Sequence, residues 1–123
     1  MLKGFEDITQ ELNDEESKVA NVIRNLIKDR IGKENAITND VLGDFIYSTV
    51  GKSVLPSRMR KIIAAVRRHY EPRLIANSKG YFIAQDEGEL NDWIISMKQR
   101  VSQQMLAIQA AEAELEKMRA EPF

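Results

Sequence analysis

With 123 residues, 43% apolar and 30% charged, the chain has material for one modest core and the make-up of a helix-rich soluble protein. No apolar run approaches the ~20 residues needed to cross a bilayer, and MLKGFEDITQ lacks the apolar stretch of a secretory signal, so no membrane association and a cytoplasmic location are expected. The net charge of −1 argues against a generally cationic protein, and the absence of cysteine removes disulfides, thiolate ligands and thiol nucleophiles.

Residues 1–12 are mixed in character and read as an N-terminal arm. A first helix is expected from Asn13 or Asp14, either a good N-cap, with Glu15 and Glu16 favourably placed in the helix dipole. Its apolar face runs Val19, Val22, Ile23, Leu26 and Ile27 and extends toward Ile31, with Gly32 as the stop. After the loop KENA, Thr38 is the expected N-cap of a second helix that buries Val41, Leu42, Phe45 and Ile46 and ends near Val50–Gly51. Ile37 and Leu42 are placed to form a hydrophobic staple across that cap. Leu55-Pro56-Ser57 opens a third helix, with Pro at the first turn and Ser as a capping residue. Met59, Ile62, Ile63 and Val66 share one side of it, Tyr70 continues the stripe, and Pro72 closes the helix. Leu74–Ala76 and Tyr81–Ala84 flank Asn77-Ser78-Lys79-Gly80 and predict a β-hairpin with a Gly-containing turn. Helix, helix, turn, helix, hairpin is the order of a winged helix-turn-helix domain, here spanning 13–85.

From Asp86 the pattern continues as one helix of about 34 residues, roughly 50 Å long, making 86–123 a separate oligomerisation element. Asp86 is its expected cap, with Glu89 at the capping-box position. Leu90, Ile94, Met97, Val101, Gln104, Ile108, Ala111, Leu115 and Met118 keep a heptad with steps alternating between four and three. Ile94, Val101, Ile108 and Leu115 at the a positions are mostly β-branched, which favours two strands. Leu90, Met97, Gln104, Ala111 and Met118 form a softer d set, with a polar interruption at Gln104. A homo-oligomer, preferentially a dimer, is expected through this helix. Glu114 at g is placed to pair with Arg119 of a parallel partner. The competing arrangement folds the helix back on its own domain through Trp93, Ile94 and Met97. In a hybrid, the first turns pack on the domain and the rest pair with a second chain. The whole reads as mainly α with an α+β wing: a winged helix-turn-helix domain followed by a long C-terminal helix, a candidate coiled coil.

Charge is unevenly distributed. Residues 1–51 hold 6 Lys/Arg against 10 Asp/Glu and residues 80–123 hold 4 against 8, whereas residues 52–79 hold 8 basic residues against Glu71 alone. Such a block points to a polyanion-facing patch, with a solvated helix face as the plain alternative. The third helix decides between them. Its apolar residues lie within about 40–100° of Ile62, while Ala64, Ser57, Arg68 and Lys61 lie at about 200–260°, flanked by Arg60 and Arg67. One buried face opposite small residues and long donors is what a helix needs to enter a major groove. Arg can fork onto guanine, while Lys and Ser can serve bases or phosphates. Asn77, Ser78 and Lys79 at the hairpin tip, and Arg73 before it, are placed for phosphates or a minor groove. Thr38 and Asn39 offer backbone N–H groups at a helix start. With Lys52 and Arg58 from the same block, the candidate DNA-contacting set is Thr38, Asn39, Lys52, Ser57, Arg58, Arg60, Lys61, Ala64, Arg67, Arg68, Arg73, Asn77, Ser78 and Lys79, and the expected partner is double-stranded DNA. An alternative engages Arg67 and Arg68 with acids of the first helix.

No catalytic constellation emerges. His69 is the only histidine and follows Arg68, where a surface or phosphate role is expected, and no zinc-protease, Walker or dinucleotide motif is present. The chain is expected not to be an enzyme, with no cofactor and no metal site.

Residues 37–83 resemble small winged helix-turn-helix DNA-binding proteins of bacteriophages and prophages. Thr38-Asn39, Ser57-Arg58-Met59-Arg60 and Ile75-Ala76-Asn77-Ser78-Lys79-Gly80-Tyr81-Phe82 stand where that family has its capped helix, recognition-helix start and wing. Asp86–Glu89 matches the acidic opening of its long C-terminal helix. Pro56 departs from the commoner pattern at the start of the recognition helix. The resemblance covers roughly residues 15–105 and implies DNA binding in a phage-type regulatory, replication or packaging role. Three readings follow: a dimeric DNA-binding regulatory or replication factor; a small-terminase-like packaging component whose last helix assembles a ring; or a protein-interaction module.

Overall fold

The computed structural model describes residues 12–121. The chain is mainly helical, with a small two-stranded antiparallel sheet and a long C-terminal helix. The expected N-terminal arm lies outside the described residues except for Leu12, which is buried in the core. Among the described residues no helix is long and apolar enough to cross a membrane.

Helix α1 (Asp14–Ile27) starts at a complete capping box. The Glu16 N–H donates to Asn13 Oδ1 at 2.8 Å, and the Asn13 N–H donates to Glu16 Oε1 at 3.1 Å. Val19, Ala20, Ile23 and Ile27 face the core. The helix stops before Ile31, which is exposed. Here the backbone leaves the helix to pair with the hairpin: the Ile83 N–H donates to the Arg30 carbonyl at 2.7 Å and the Gly32 N–H to the Ile83 carbonyl at 2.8 Å. A 3-10 turn, Lys33–Asn35, fills the segment expected to be loop.

Thr38 caps α2 (Asn39–Val50), accepting the Val41 N–H at 3.3 Å, and Gly51 ends it in the left-handed region at φ 81°. Ile37 and Leu42, on either side of that cap, are both buried. Only Leu42 and Ile46 of the helix itself are buried; Val41 and Phe45, expected in the core, are 43% and 45% exposed. Packing against α1 covers a narrower stripe than the apolar residues occupy. Helix α3 (Pro56–His69) has Leu55 as N-cap and Pro56 in the first turn, so Ser57 lies inside the helix and does not cap it. Met59, Ile62, Ile63, Ala65 and Val66 are buried. Tyr70 does not continue that stripe, because it is a non-helical C-cap; its exposed ring lies beneath the Arg24 guanidinium, 3.7 Å from the ring centroid.

Strands β1 (Leu74–Asn77) and β2 (Gly80–Ile83) pair in the register Leu74↔Ile83, Ile75↔Phe82, Ala76↔Tyr81, Asn77↔Gly80, leaving Ser78-Lys79 as a two-residue tip. Both Leu74↔Ile83 and Ile75↔Phe82 are buried although they face opposite sides of the ribbon, so both faces are covered. Ile37 and Tyr81 exchange backbone hydrogen bonds at 2.9 and 2.8 Å, docking the hairpin on the segment before α2. Gly80 sits at φ 120°, and a Cβ there would run into the Ile37 carbonyl oxygen; this close approach is why glycine stands at the position.

Helix α4 (Glu87–Ala120) is capped by Asp86, whose Oδ1 accepts the Glu89 N–H at 2.9 Å. Glu89 does not close the expected reciprocal box. Its carboxylate accepts instead the N–H groups of Gln85 (2.7 Å) and Lys33 (3.2 Å), tying the start of α4 to the 3-10 turn. The chain divides into two compact units between Leu90 and Asn91, within α4. No residue of α4 is buried.

Candidate nucleic-acid interface

The site is built on α3. Its Met59–Ile62–Ile63–Ala65–Val66 face is pinned in the core, so the remaining arc is held outward by packing. Ser57, Arg60, Ala64 and Arg68 are exposed on that arc. Among the four described helices, α3 alone starts with no acid in its first turn and no side-chain cap, apart from a proline that has no N–H to satisfy. The helix dipole there favours an anion, against the opposing Asp40 and Asp44 carboxylates that line the groove at Pro56.

The other basic residues of the block are placed differently. Lys61 Nζ lies 3.2 Å from Glu16 Oε1 and Arg58 Nε 3.5 Å from Glu16 Oε2, both cations remaining half-exposed while the carboxylate is 3% exposed. In projection Arg58 falls at about 320° from Ile62, on the edge facing α1 and away from the exposed arc. The Glu16 carboxyl is held below its ordinary range, first by the Asn13 N–H and further by Lys61 and Arg58, against the opposing effect of burial. Lys52 pairs with Glu15 at 3.1 Å on the surface. Arg67 Nε donates to the Leu74 carbonyl at 2.7 Å, bracing α3 against β1, and burial lowers its proton affinity. That part of the guanidinium serves the fold.

On the hairpin, Asn77, Ser78 and Lys79 form an exposed tip closed by an Asx turn, the Lys79 N–H donating to Asn77 Oδ1 at 2.9 Å. Arg73 is exposed just before β1, its carbonyl accepting the Ala84 N–H at 2.9 Å. Thr38 is spent on capping, and Asn39 Oδ1 accepts the Tyr81 hydroxyl at 3.0 Å, a link between α2 and the hairpin; burial raises the pKa of that phenol. Asp40 and Asp44 of α2 line the groove beside Pro56 and Met59, so this flank of α3 repels a polyanion. His69 is half-buried with Nε2 inside the fold, which does not fit the expected surface role. Among the described residues no group of three or more His, Asp or Glu is placed to hold a metal ion.

Glu16 is the residue that sequence reasoning missed. Acids of the first helix engage the basic block at Arg58, Lys61 and Lys52. The spacing Asn13-x-x-Glu16 carried the local half of the signal as a capping box, while its pairing with α3 depends on how two helices cross.

Comparisons with family models, curated proteins and solved structures found no match to this chain.

Proposed function

We propose that the chain binds duplex DNA, with α2 and α3 as a helix-turn-helix and the β1–β2 hairpin as its wing. The observation that carries this reading is the exposed arc of α3, where Ser57, Arg60, Ala64 and Arg68 stand opposite a buried face. Small side chains at Ser57 and Ala64 let the helix backbone approach base edges, and Arg60 and Arg68 supply long donors on either side. The Asn77–Lys79 tip supplies a second contact to the phosphates. Glu16 holds Arg58 and Lys61 at the margin of the arc, so these two serve as orienting charges more than as base readers.

Residues 91–121 make the protein a dimer in this reading, two copies of α3 addressing a target with two half-sites. A regulatory or replication role of phage type belongs to the same proposal and rests on the resemblance of the motifs at residues 38–39, 57–60 and 75–82. Binding of labelled random duplexes, followed by anisotropy between about 50 and 200 mM salt, tests it. Affinity that falls with a steep logarithmic salt slope supports the proposal, and no binding at the low-salt end discards it.

A further inference from the structure

Residues 101–111 of α4 form three helical turns without a single charged side chain, flanked by Lys98 and Arg100 on one side and by Glu112 and Glu114 on the other. Every residue of the stretch is exposed in the single chain, including Val101, Met105, Leu106 and Ile108. Val101, Met105 and Ile108 share one side of this stretch, and an exposed apolar strip of that kind favours a partner helix. Because the flanking charges are opposite in sign, the segment is complementary to itself reversed. We infer that α4 pairs with a second copy of this chain in antiparallel orientation, centred on Leu106, which rests on the self-association in the reading above and assigns its geometry.

The heptad fits this register in its apolar layers, and sets one polar residue, Gln104, against an aliphatic one. It sets Ile94 against the partner's Met118, Met97 against the partner's Leu115, Val101 against the partner's Ala111, and Gln104 against the partner's Ile108. On the flanks, Lys98 lies beside the partner's Glu112 and Arg100 beside the partner's Glu114. Twofold symmetry repeats both contacts, and no like charges meet. Met105 and Ala107 each face their own copies at the dyad, where no charge is needed. The parallel, in-register alternative matches only Glu114 with the partner's Arg119, leaves Lys98 and Arg100 facing Trp93 and Met105, and stacks Gln104 on itself in the seam. Ile95 and Leu106 lie outside the seam in both arrangements and do not bear on the choice.

The chain has no cysteine, so engineered thiols report cleanly. In the antiparallel pair Val101 meets the partner's Ala111, while each residue is about 15 Å along the axis from its own copy, beyond the reach of a disulfide. Val101→Cys and Ala111→Cys, oxidised separately, therefore stay uncrosslinked, and a mixture of the two exchanged as dimers gives a covalent heterodimer. Disulfides in each variant alone, and none between them, overturn the orientation in favour of a parallel pair. Sedimentation of the unmodified full chain separates the two levels: a monomeric mass overturns self-association itself, and a dimer with no cross-link in any combination overturns only this register. As a second readout, Lys98→Glu with Arg100→Glu weakens the dimer at least tenfold, and adding Glu112→Lys with Glu114→Lys restores it; failure of the quadruple variant to recover contradicts the pairing.

Discussion

Replacing Glu16 by Gln removes the charge that joins α1 to α3 and that strengthens the bond from the Asn13 N–H. Gln keeps an oxygen to accept the Asn13 N–H but gives up the ion pairs with Lys61 at 3.2 Å and Arg58 at 3.5 Å. Both cations are half-exposed, so water screens them and their loss leaves no buried unpaired charge. At about 0.5–1 kcal/mol for each pair, the expected cost at neutral pH is about 1–2 kcal/mol. The pH dependence has a definite sign. The Glu16 pKa is lowered in the folded chain, so its contribution is complete above the unfolded value of about 4.3 and is lost as pH falls through the lower folded value. Urea unfolding of wild type and variant, followed by near-ultraviolet circular dichroism at pH 7 and at stepwise lower pH, measures the difference. The gap should be present at pH 7 and close on acidification below the unfolded pKa. Equal stability at pH 7, or a gap that stays constant through the acid range, would refute the role assigned to this carboxylate.

Gly80→Ala places a Cβ against the Ile37 carbonyl at a positive φ, and should cost about 2–4 kcal/mol in the same assay, with faster hydrogen exchange at Ile37 and Tyr81; wild-type exchange would contradict the close approach. Arg67→Met preserves the aliphatic packing but removes the donor to the buried Leu74 carbonyl, for a loss of about 1–3 kcal/mol. Its salt slope for DNA should match wild type, and a slope lower by about 1 would instead place Arg67 on a phosphate. Ile108→Lys puts a charge into the middle of the uncharged stretch and should halve the mass in sedimentation without changing the helical content of residues 14–83; an unchanged mass would show that the seam runs elsewhere.

What was legible in the sequence is what local energies decide. Thr38 and Gly51 bound α2 because a cap and a left-handed glycine act within one turn. Asn77-Ser78-Lys79-Gly80 sets the hairpin register for the same reason. The misplacements share another cause, competition from distant segments. Helix α1 stops at Ile27 because the backbone at Arg30 and Gly32 pairs with Ile83, far along the chain. Val41 and Phe45 are apolar at helical spacing, yet spacing cannot tell how wide a stripe the neighbouring helices will cover. Glu89 satisfies two backbone N–H groups that become neighbours only when α4 meets the turn at Lys33. For the candidate site, the projection separated the exposed Ser57–Arg60–Ala64–Arg68 arc from the buried face. It could not show that Glu16 would draw Lys61 and Arg58 to the margin, or that Arg67 would brace β1.

The central claim is that the outward arc of α3 meets the phosphates of a duplex. The most direct measurement compares the salt dependence of duplex binding for Arg60→Ala with Arg68→Ala and for Lys18→Ala with Lys28→Ala, exposed residues of α1 and of its C-cap that carry the same total charge. If the arc is the interface, the α3 pair lowers the salt slope by about 2 and weakens binding strongly, while the α1 pair leaves the slope at the wild-type value. Equal losses from both pairs would mean that only overall charge is felt, and an unaffected α3 pair would move the interface off this helix.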